Sequence, residues 1–265
     1  MSTIAVDDRQ LYYECAGTGR DLVLLHGGGL DASMWDGQFE ELAADYRVTR
    51  YDARGHGRST AARGEYRPYQ DLAAVLRHLG ADRPILVGLS LGGRTSIDFA
   101  LAYPDVPVTL VLVATGVSGM VFTDPFTVEC GRVQAEAAAR RDADAFVEAM
   151  LRALVDGPRR APSDVPAEMR AKCARMIREG VVRLSAEGTG TMVEVGAIDR
   201  LSELRPPLLT MVGTLDTSDI WRVSDQIRAA VPGAEQAVIE GAAHTVNMDQ
   251  PEAFMAALRS FLAKV

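Results

Sequence analysis

Apolar residues fall into two alternating patterns along the chain. One is the short continuous run, at residues 22–25, 84–87, 108–114 and 207–213. Runs of that length, bounded by glycine, proline or charge, predict strands buried on both faces. The other pattern recurs at i, i+3, i+4 and i+7, as in Leu72, Val75, Leu76 and Leu79, and marks the buried face of a helix. Helical stretches are expected at residues 33–44, 69–79, 94–103, 220–231 and 251–263. Residues 4–6 and 10–15 read as strands joined at Asp7-Asp8 in a hairpin, with further strands at 46–51 and 236–239. Strands alternating with amphipathic helices predict the α/β class, with a mostly parallel sheet of about eight strands covered by helices on both faces.

The rhythm changes at Gly116. From about residue 120 to 195 the chain is helical and strand-poor. Helices are expected at 134–154 and 166–185, parted by the breaker stretch Gly157-Pro158-Arg159-Arg160-Ala161-Pro162. Residues 120–196 therefore read as a helical insertion between two parts of one core, residues 1–119 and 197–265.

At 265 residues the chain can bury a substantial interior. Its 28 basic and 36 acidic side chains leave a net charge of −8, which gives no general attraction to nucleic acid or anionic membrane. Cys15, Cys130 and Cys173 are odd in number and far apart, which suits packing in a reducing compartment rather than a disulfide framework. The first residues carry no basic start followed by an apolar stretch, and no apolar run approaches membrane-helix length. A cytoplasmic protein acting on a small-molecule substrate is expected, without nucleic acid or membrane as partner; a homodimer is compatible with the reading.

The candidate chemistry centres on Gly88-Leu89-Ser90-Leu91-Gly92-Gly93. It lies where a predicted strand gives way to a helix, the setting in which Gly-x-Ser-x-Gly forms a nucleophile elbow. A serine at such a turn projects its hydroxyl from the sheet, and the following helix offers free N–H groups. An elbow serine needs a base, and the base needs a carboxylate to orient it. Of the four histidines, His244 follows the last strand and completes the chain order serine, acid, histidine. His78 reads as a helix-ending surface residue. Asp216, three residues beyond Gly213, is the preferred acid, with Asp219 as its rival and Asp199 and Asp249 less well placed. His26-Gly27-Gly28-Gly29 lets backbone approach a reacting carbonyl. The expected oxyanion donors are the N–H groups of Leu91 and Gly28, with Gly29 as the alternative to Gly28.

With Asp52-Ala53-Arg54-Gly55-His56-Gly57-Arg58-Ser59 and Gly213-Thr214-Leu215-Asp216 added, the motifs resemble the α/β-hydrolase superfamily in order. Within it they are most similar to the branch of 3-oxoadipate enol-lactonases and small bacterial carboxylesterases. The resemblance covers nearly the whole chain outside the insertion. It implies that Arg54 and His56 belong to a structural loop and that the insertion caps the site. Serine rather than aspartate at the elbow predicts an acyl-enzyme on Ser90 with His244 as general base, and no metal or cofactor is expected.

Substrate contacts are assigned to Gly29, Trp35, Met120 and Trp221. Phe122, Phe126, Phe146 and Met150 are further residues able to face a pocket. Arg132, Arg140, Arg141, Arg175 and Arg178 could meet a substrate carboxylate, although solvated helix faces explain them as well. The expected reaction is hydrolysis of a small carboxylic ester or lactone. The alternatives are C–C bond hydrolysis, acyl transfer, perhydrolysis or a biosynthetic tailoring step on the same three residues, and a binding module on the same fold.

Overall fold

In a computed structural model that describes residues 2–7 and 9–265, the apolar runs become the centre of an eight-stranded sheet. In chain order the first elements are β1 (Ser2–Val6), β2 (Arg9–Ala16), β3 (Asp21–Leu25), α1 (Asp36–Leu42), β4 (Arg47–Tyr51), β5 (Glu65–Tyr66) and α2 (Pro68–Leu79). Next come β6 (Ile85–Leu89), α3 (Leu91–Ala102), β7 (Thr109–Val113), α4 (Pro125–Ala139), α5 (Ala143–Leu151), α6 (Ala167–Glu187) and β8 (Thr191–Met192). The chain ends with β9 (Leu208–Gly213), α7 (Ser218–Ala230), β10 (Glu235–Ile239), α8 (Val246–Asp249) and α9 (Pro251–Leu262). The sheet order is β1-β2-β4-β3-β6-β7-β9-β10. The pairs β1/β2 and β2/β4 are antiparallel and the others parallel. Of the two expected hairpin-turn residues, Asp7 has φ 54° and Asp8 lies outside the described residues.

Strands β6, β7 and β9 are buried at every residue, as continuous apolar runs require. Alternate strand residues serve opposite layers. Leu22 and Leu24 pack with Trp35, Leu42, Phe254 and Leu258. Val23 and Leu25 pack with Leu72, Ile97, Val223 and Ile227. Helices α1 and α9 thus cover one face, and α2, α3 and α7 the other. Helix α2 ends where its pattern does: Gly80 takes φ 62°, and the Ala81 N–H reaches back to Leu76 O at 3.0 Å, closing the last turn.

From β3 the chain passes to β4 on one side and, through α2, to β6 on the other, so the direction of winding reverses between β3 and β6. A crevice at the carboxyl ends of strands is expected at such a switch point. Parallel register sets Leu25 beside Gly88 and Val113 beside both Leu89 and Met211. The segments beginning at His26, Ser90, Ala114 and Thr214 therefore emerge along one edge of the sheet.

The region between β7 and β9 is mostly helical, but α4 begins nine residues earlier than expected. The single helix expected at 134–154 is two, α4 and α5, broken where Arg141 takes φ 56° and the Asp142 side chain accepts the Ala145 N–H at 3.0 Å. The capping aspartate starts a new helix, which overrides the apolar periodicity running through it. Helix α5 then ends in a π turn at Arg152–Asp156. Val147, Leu151, Cys173, Met176 and Ile177 bury against the α1/α9 layer. The two-residue strands β5 and β8 pair in parallel and join the end of this region to the segment before α2.

Candidate active site

Ser90 follows β6 directly and precedes the first residue of α3, with φ 52° and ψ −106°. Non-glycine residues rarely hold positive φ, and such a backbone costs about 1–3 kcal/mol and persists only where its surroundings impose it. Here they do. The Ser90 N–H donates to Val113 O at 2.9 Å, while its carbonyl accepts the N–H groups of Arg94 and Gly116. The flanking glycines are required by close approach. A Cβ on Gly88 would lie 2.3 Å from the Gly92 carbonyl carbon, and one on Gly92 would lie 2.2 Å from Leu25 O. The half-buried Ser90 is thus held at a sharp turn on the sheet edge.

Asp216, on the loop after β9, and His244, beyond β10, are brought together from 28 residues apart. The His244 Nδ1–H donates to Asp216 Oδ2 at 3.0 Å, and both side chains are buried. Asp216 Oδ1 accepts the Thr217 N–H at 2.7 Å, so the carboxylate is fixed from both sides. With Nδ1 carrying the proton, Nε2 is the acceptor. Burial disfavours the imidazolium, but the charge and hydrogen bond of Asp216 outweigh it and hold the His244 pKa above its ordinary value.

Asp219 does not share this role. Its fully buried carboxylate accepts the Thr123 N–H and O–H and the Asp124 N–H at 2.9–3.0 Å, and pairs with Arg222 at 2.5 Å. In return the Asp124 carboxylate accepts the Ser218 N–H and O–H at the start of α7. Asp219→Asn is expected to lower stability by about 1–3 kcal/mol, through loss of a buried charged acceptor, while retaining most of kcat. Urea unfolding beside steady-state kinetics checks both; an activity loss exceeding that of Asp216→Asn would contradict the choice of acid.

The glycine-rich turn abuts the elbow. A Cβ on Gly27 would sit 3.8 Å from Ser90 Cβ, and one on Gly28 would sit 3.8 Å from Leu91 Cβ. Among the described residues, no backbone acceptor takes the N–H of Gly28 or Leu91. The Gly29 N–H is engaged, donating to His56 Nε2 at 3.1 Å. That bond would have to break for Gly29 to donate to an oxyanion, whereas the Gly28 and Leu91 N–H groups are not engaged in this way.

His26 and His56 act as staples. The His26 Nδ1–H donates to Gly27 O and its Nε2 accepts the Ala53 N–H; the His56 Nδ1–H donates to Arg54 O. Desolvation and the neighbouring His26 push the His56 pKa down to about 4, so its Nε2 stays unprotonated at neutral pH and can accept. His56→Ala leaves the Gly29 N–H without this acceptor and is expected to cost about 1–3 kcal/mol, read as a lower urea midpoint. The remaining histidine, His78, is exposed at the end of α2 against Tyr13.

Trp35 requires a correction. It is fully buried and packs at a tilt of 46° against Phe254, with ring centroids 5.8 Å apart, so it belongs to the core and does not border a substrate. Its apolar area is used where α1 meets α9. Met120 is partly buried, its sulfur accepting the Val117 N–H at 3.3 Å beyond the Gly116 turn. Trp221 lies partly buried in the first turns of α7, five residues after Asp216. The Met150 methyl group sits over Gly29, with Leu154 and Ile177 behind it. Phe126 packs under Arg152, Phe146 is half-buried, and Phe122 is exposed. Arg132, Arg140 and Arg178 are exposed and paired with helix carboxylates, and Arg141 occupies the α4–α5 break. Arg175 lines a cavity of about 290 Å³ between α6 and the β2–β4 side of the core. Several charges in that cavity pair with one another, Arg50 with Glu14 and Asp36, and Lys172 with Asp36. Ser90, Asp216 and His244 do not line it.

Among the described residues no cluster of potential metal ligands occurs, and no helix is long and apolar enough to cross a membrane. The sequence model of the alpha/beta hydrolase family matches residues 22–257. The chain is 32% identical over 259 residues to a pimeloyl-(acyl-carrier protein) methyl ester esterase from Edwardsiella ictaluri, spanning 95% of this chain and 96% of that protein. Among solved structures, a thermophilic esterase from Thermogutta terrifontis is 29% identical, with a TM-score of 0.78 over 99% of this chain and 96% of that one. The enol-lactonase from Burkholderia xenovorans LB400 is 26% identical, with a TM-score of 0.78 over 99% and 100% of the two chains.

Proposed function

The chain belongs to the alpha/beta hydrolase family, and from that premise we propose that it hydrolyses a small carboxylic ester or lactone through an acyl-enzyme on Ser90. The observation that carries the reading is the buried 3.0 Å contact of His244 with Asp216, on loops that emerge at the same sheet edge as the Ser90 elbow. Similarity to an esterase and to an enol-lactonase supports the choice of bond.

The chemistry follows from the atoms. Ser90 Oγ attacks the carbonyl carbon as His244 Nε2 takes its proton, and Asp216 stabilises the resulting imidazolium. The Gly28 and Leu91 N–H groups receive the developing oxyanion, at the positive end of α3. His244 returns the proton to the leaving oxygen, which departs from an ester or stays tethered by the acyl chain in a lactone. Water then attacks the acyl carbon with His244 again as base, releasing the acid and Ser90. Residues 120–196 serve as the cap, with Met150, Leu154 and Ile177 providing apolar surface over the Gly29 turn and Met120 and Trp221 flanking the site. Such surroundings suit an uncharged acyl group.

The test is steady-state hydrolysis of p-nitrophenyl esters of graded acyl length beside unsubstituted lactones. Turnover of short or medium members is expected. A well-folded protein inert on all of them would contradict the reading and favour C–C bond cleavage or acyl transfer on the same residues.

A further inference from the structure

The stretch from Asp156 to Arg160, which links the π turn to α6 within the helical region, runs against both loops that carry the acid and the base. Gly157, at φ 75°, comes so close that a Cβ on it would lie 3.1 Å from Ala243 Cβ and 3.4 Å from Leu215 O. Arg159 Nη1 donates to Thr214 O at 3.0 Å. Arg160 goes further. Its Nη1 and Nη2 donate to Asp249 Oδ1 and Oδ2 at 2.9 and 3.0 Å, a two-pronged pair in which the Asp249 side chain is almost wholly buried. Its Nε and Nη2 also donate to the carbonyls of Asp156 and Val155. Asp249 Oδ2 in turn accepts the N–H of Ala243, the residue before His244, at 2.8 Å.

We propose that Arg160 is a positioning residue for catalysis: through Asp249 it fixes the Ala243–His244 backbone, so that the helical region completes the alignment of the base rather than only covering the site. The inference rests on the reading of His244 as general base. Ala243 is fully buried and packed against Gly157, and the carboxylate that holds its N–H is itself held in a planar fork by a guanidinium from another part of the chain. A fork of this kind fixes direction as well as distance, which an ammonium does not. Displacement of a catalytic group by about 1 Å can cost on the order of 100-fold in rate. Because the loss falls on proton transfer, it lowers kcat while leaving KM nearly unchanged.

The variants are Arg160→Met, Asp249→Asn, the pair combined, and Arg160→Lys. Arg160→Met alone leaves a buried carboxylate without its partner and could unfold the chain. The combined variant removes both charges and keeps an amide oxygen for the Ala243 N–H, so it decides the question if the single variant fails to fold. With p-nitrophenyl butyrate, kcat of the combined variant is expected to fall about tenfold or more with KM within about twofold. Labelling of Ser90 by a fluorophosphonate, which needs the same base, should slow in parallel. Arg160→Lys should recover part of the rate, and the combined variant should lose no more than the worse single one, as expected of residues acting as a unit. A folded combined variant with wild-type kcat and labelling rate overturns the positioning role alone. Wild-type protein that neither hydrolyses the ester nor labels at Ser90 overturns the hydrolase reading, and this inference with it.

Discussion

Ser90→Ala is expected to reduce ester turnover by a factor on the order of 10⁴ or more, leaving the fold intact. The turn does not depend on the hydroxyl. Its hydrogen bonds to Val113, Arg94 and Gly116 use the Ser90 backbone, and its tightness comes from Gly88 and Gly92 packed against Gly92 and Leu25 backbone. Alanine meets the same cost at φ 52° as serine, so stability should change by less than about 1 kcal/mol. Steady-state kinetics with a matched urea titration checks both parts. Comparable turnover in a folded Ser90→Ala protein would remove the nucleophile from the account.

Asp216→Asn should cost nearly as much, on the order of 10⁴ in kcat, and should also move the pH dependence. As the proposed general base, His244 must be neutral to accept the Ser90 proton. In the wild type Asp216 raises its pKa, so kcat/KM should fall with decreasing pH through a midpoint above the ordinary histidine value of about 6.5. The amide removes the charge and leaves burial, which acts in the opposite direction. The acid limb of the residual activity should therefore shift to lower pH. An unshifted limb in Asp216→Asn would mean that another group sets the state of the base. The contrast with Asp219→Asn is informative because the two aspartates are three residues apart, yet one faces His244 and the other Thr123 and Asp124.

Much of this arrangement was legible in the sequence because it follows short-range rules. Continuous apolar runs at 85–89, 109–113 and 208–213 are short and bounded by turn residues, which favours central parallel strands, and they take that form within a residue or two of expectation. The elbow was legible because glycines two residues either side of Ser90 have a steric cause at that turn. The reading was weaker where a local cap competes with periodicity. Asp124-Pro125 and Asp142 each start a helix, but the apolar spacing across 134–154 concealed the break between them. Trp35 misled because its place after a glycine-rich turn fits a pocket wall as well as a core. Tertiary contact with Phe254, far along the chain, decides it for the core.

The remaining features have no local signal. The His56 bond that engages the Gly29 N–H spans 27 residues. The Arg160 pair with Asp249 spans 89, from a stretch legible only as a breaker. Asp249, like Asp199, was a poorer candidate for the acid, and its carboxylate is instead committed to Arg160 and Ala243. The His56 contact depends on how two loops of the core pack together and the Arg160 pair on how the helical region seats on the core, and periodicity and spacing encode neither.

The most direct measurement is a stopped-flow reaction of wild-type protein with a p-nitrophenyl ester, quenched for intact-mass and peptide analysis. The account predicts a p-nitrophenol burst approaching one equivalent per active site where deacylation is slow, with the acyl mass on the peptide carrying Ser90 and neither signal in Ser90→Ala. Turnover in which the acyl mass maps to a different residue, or a burst that survives in Ser90→Ala, would contradict it.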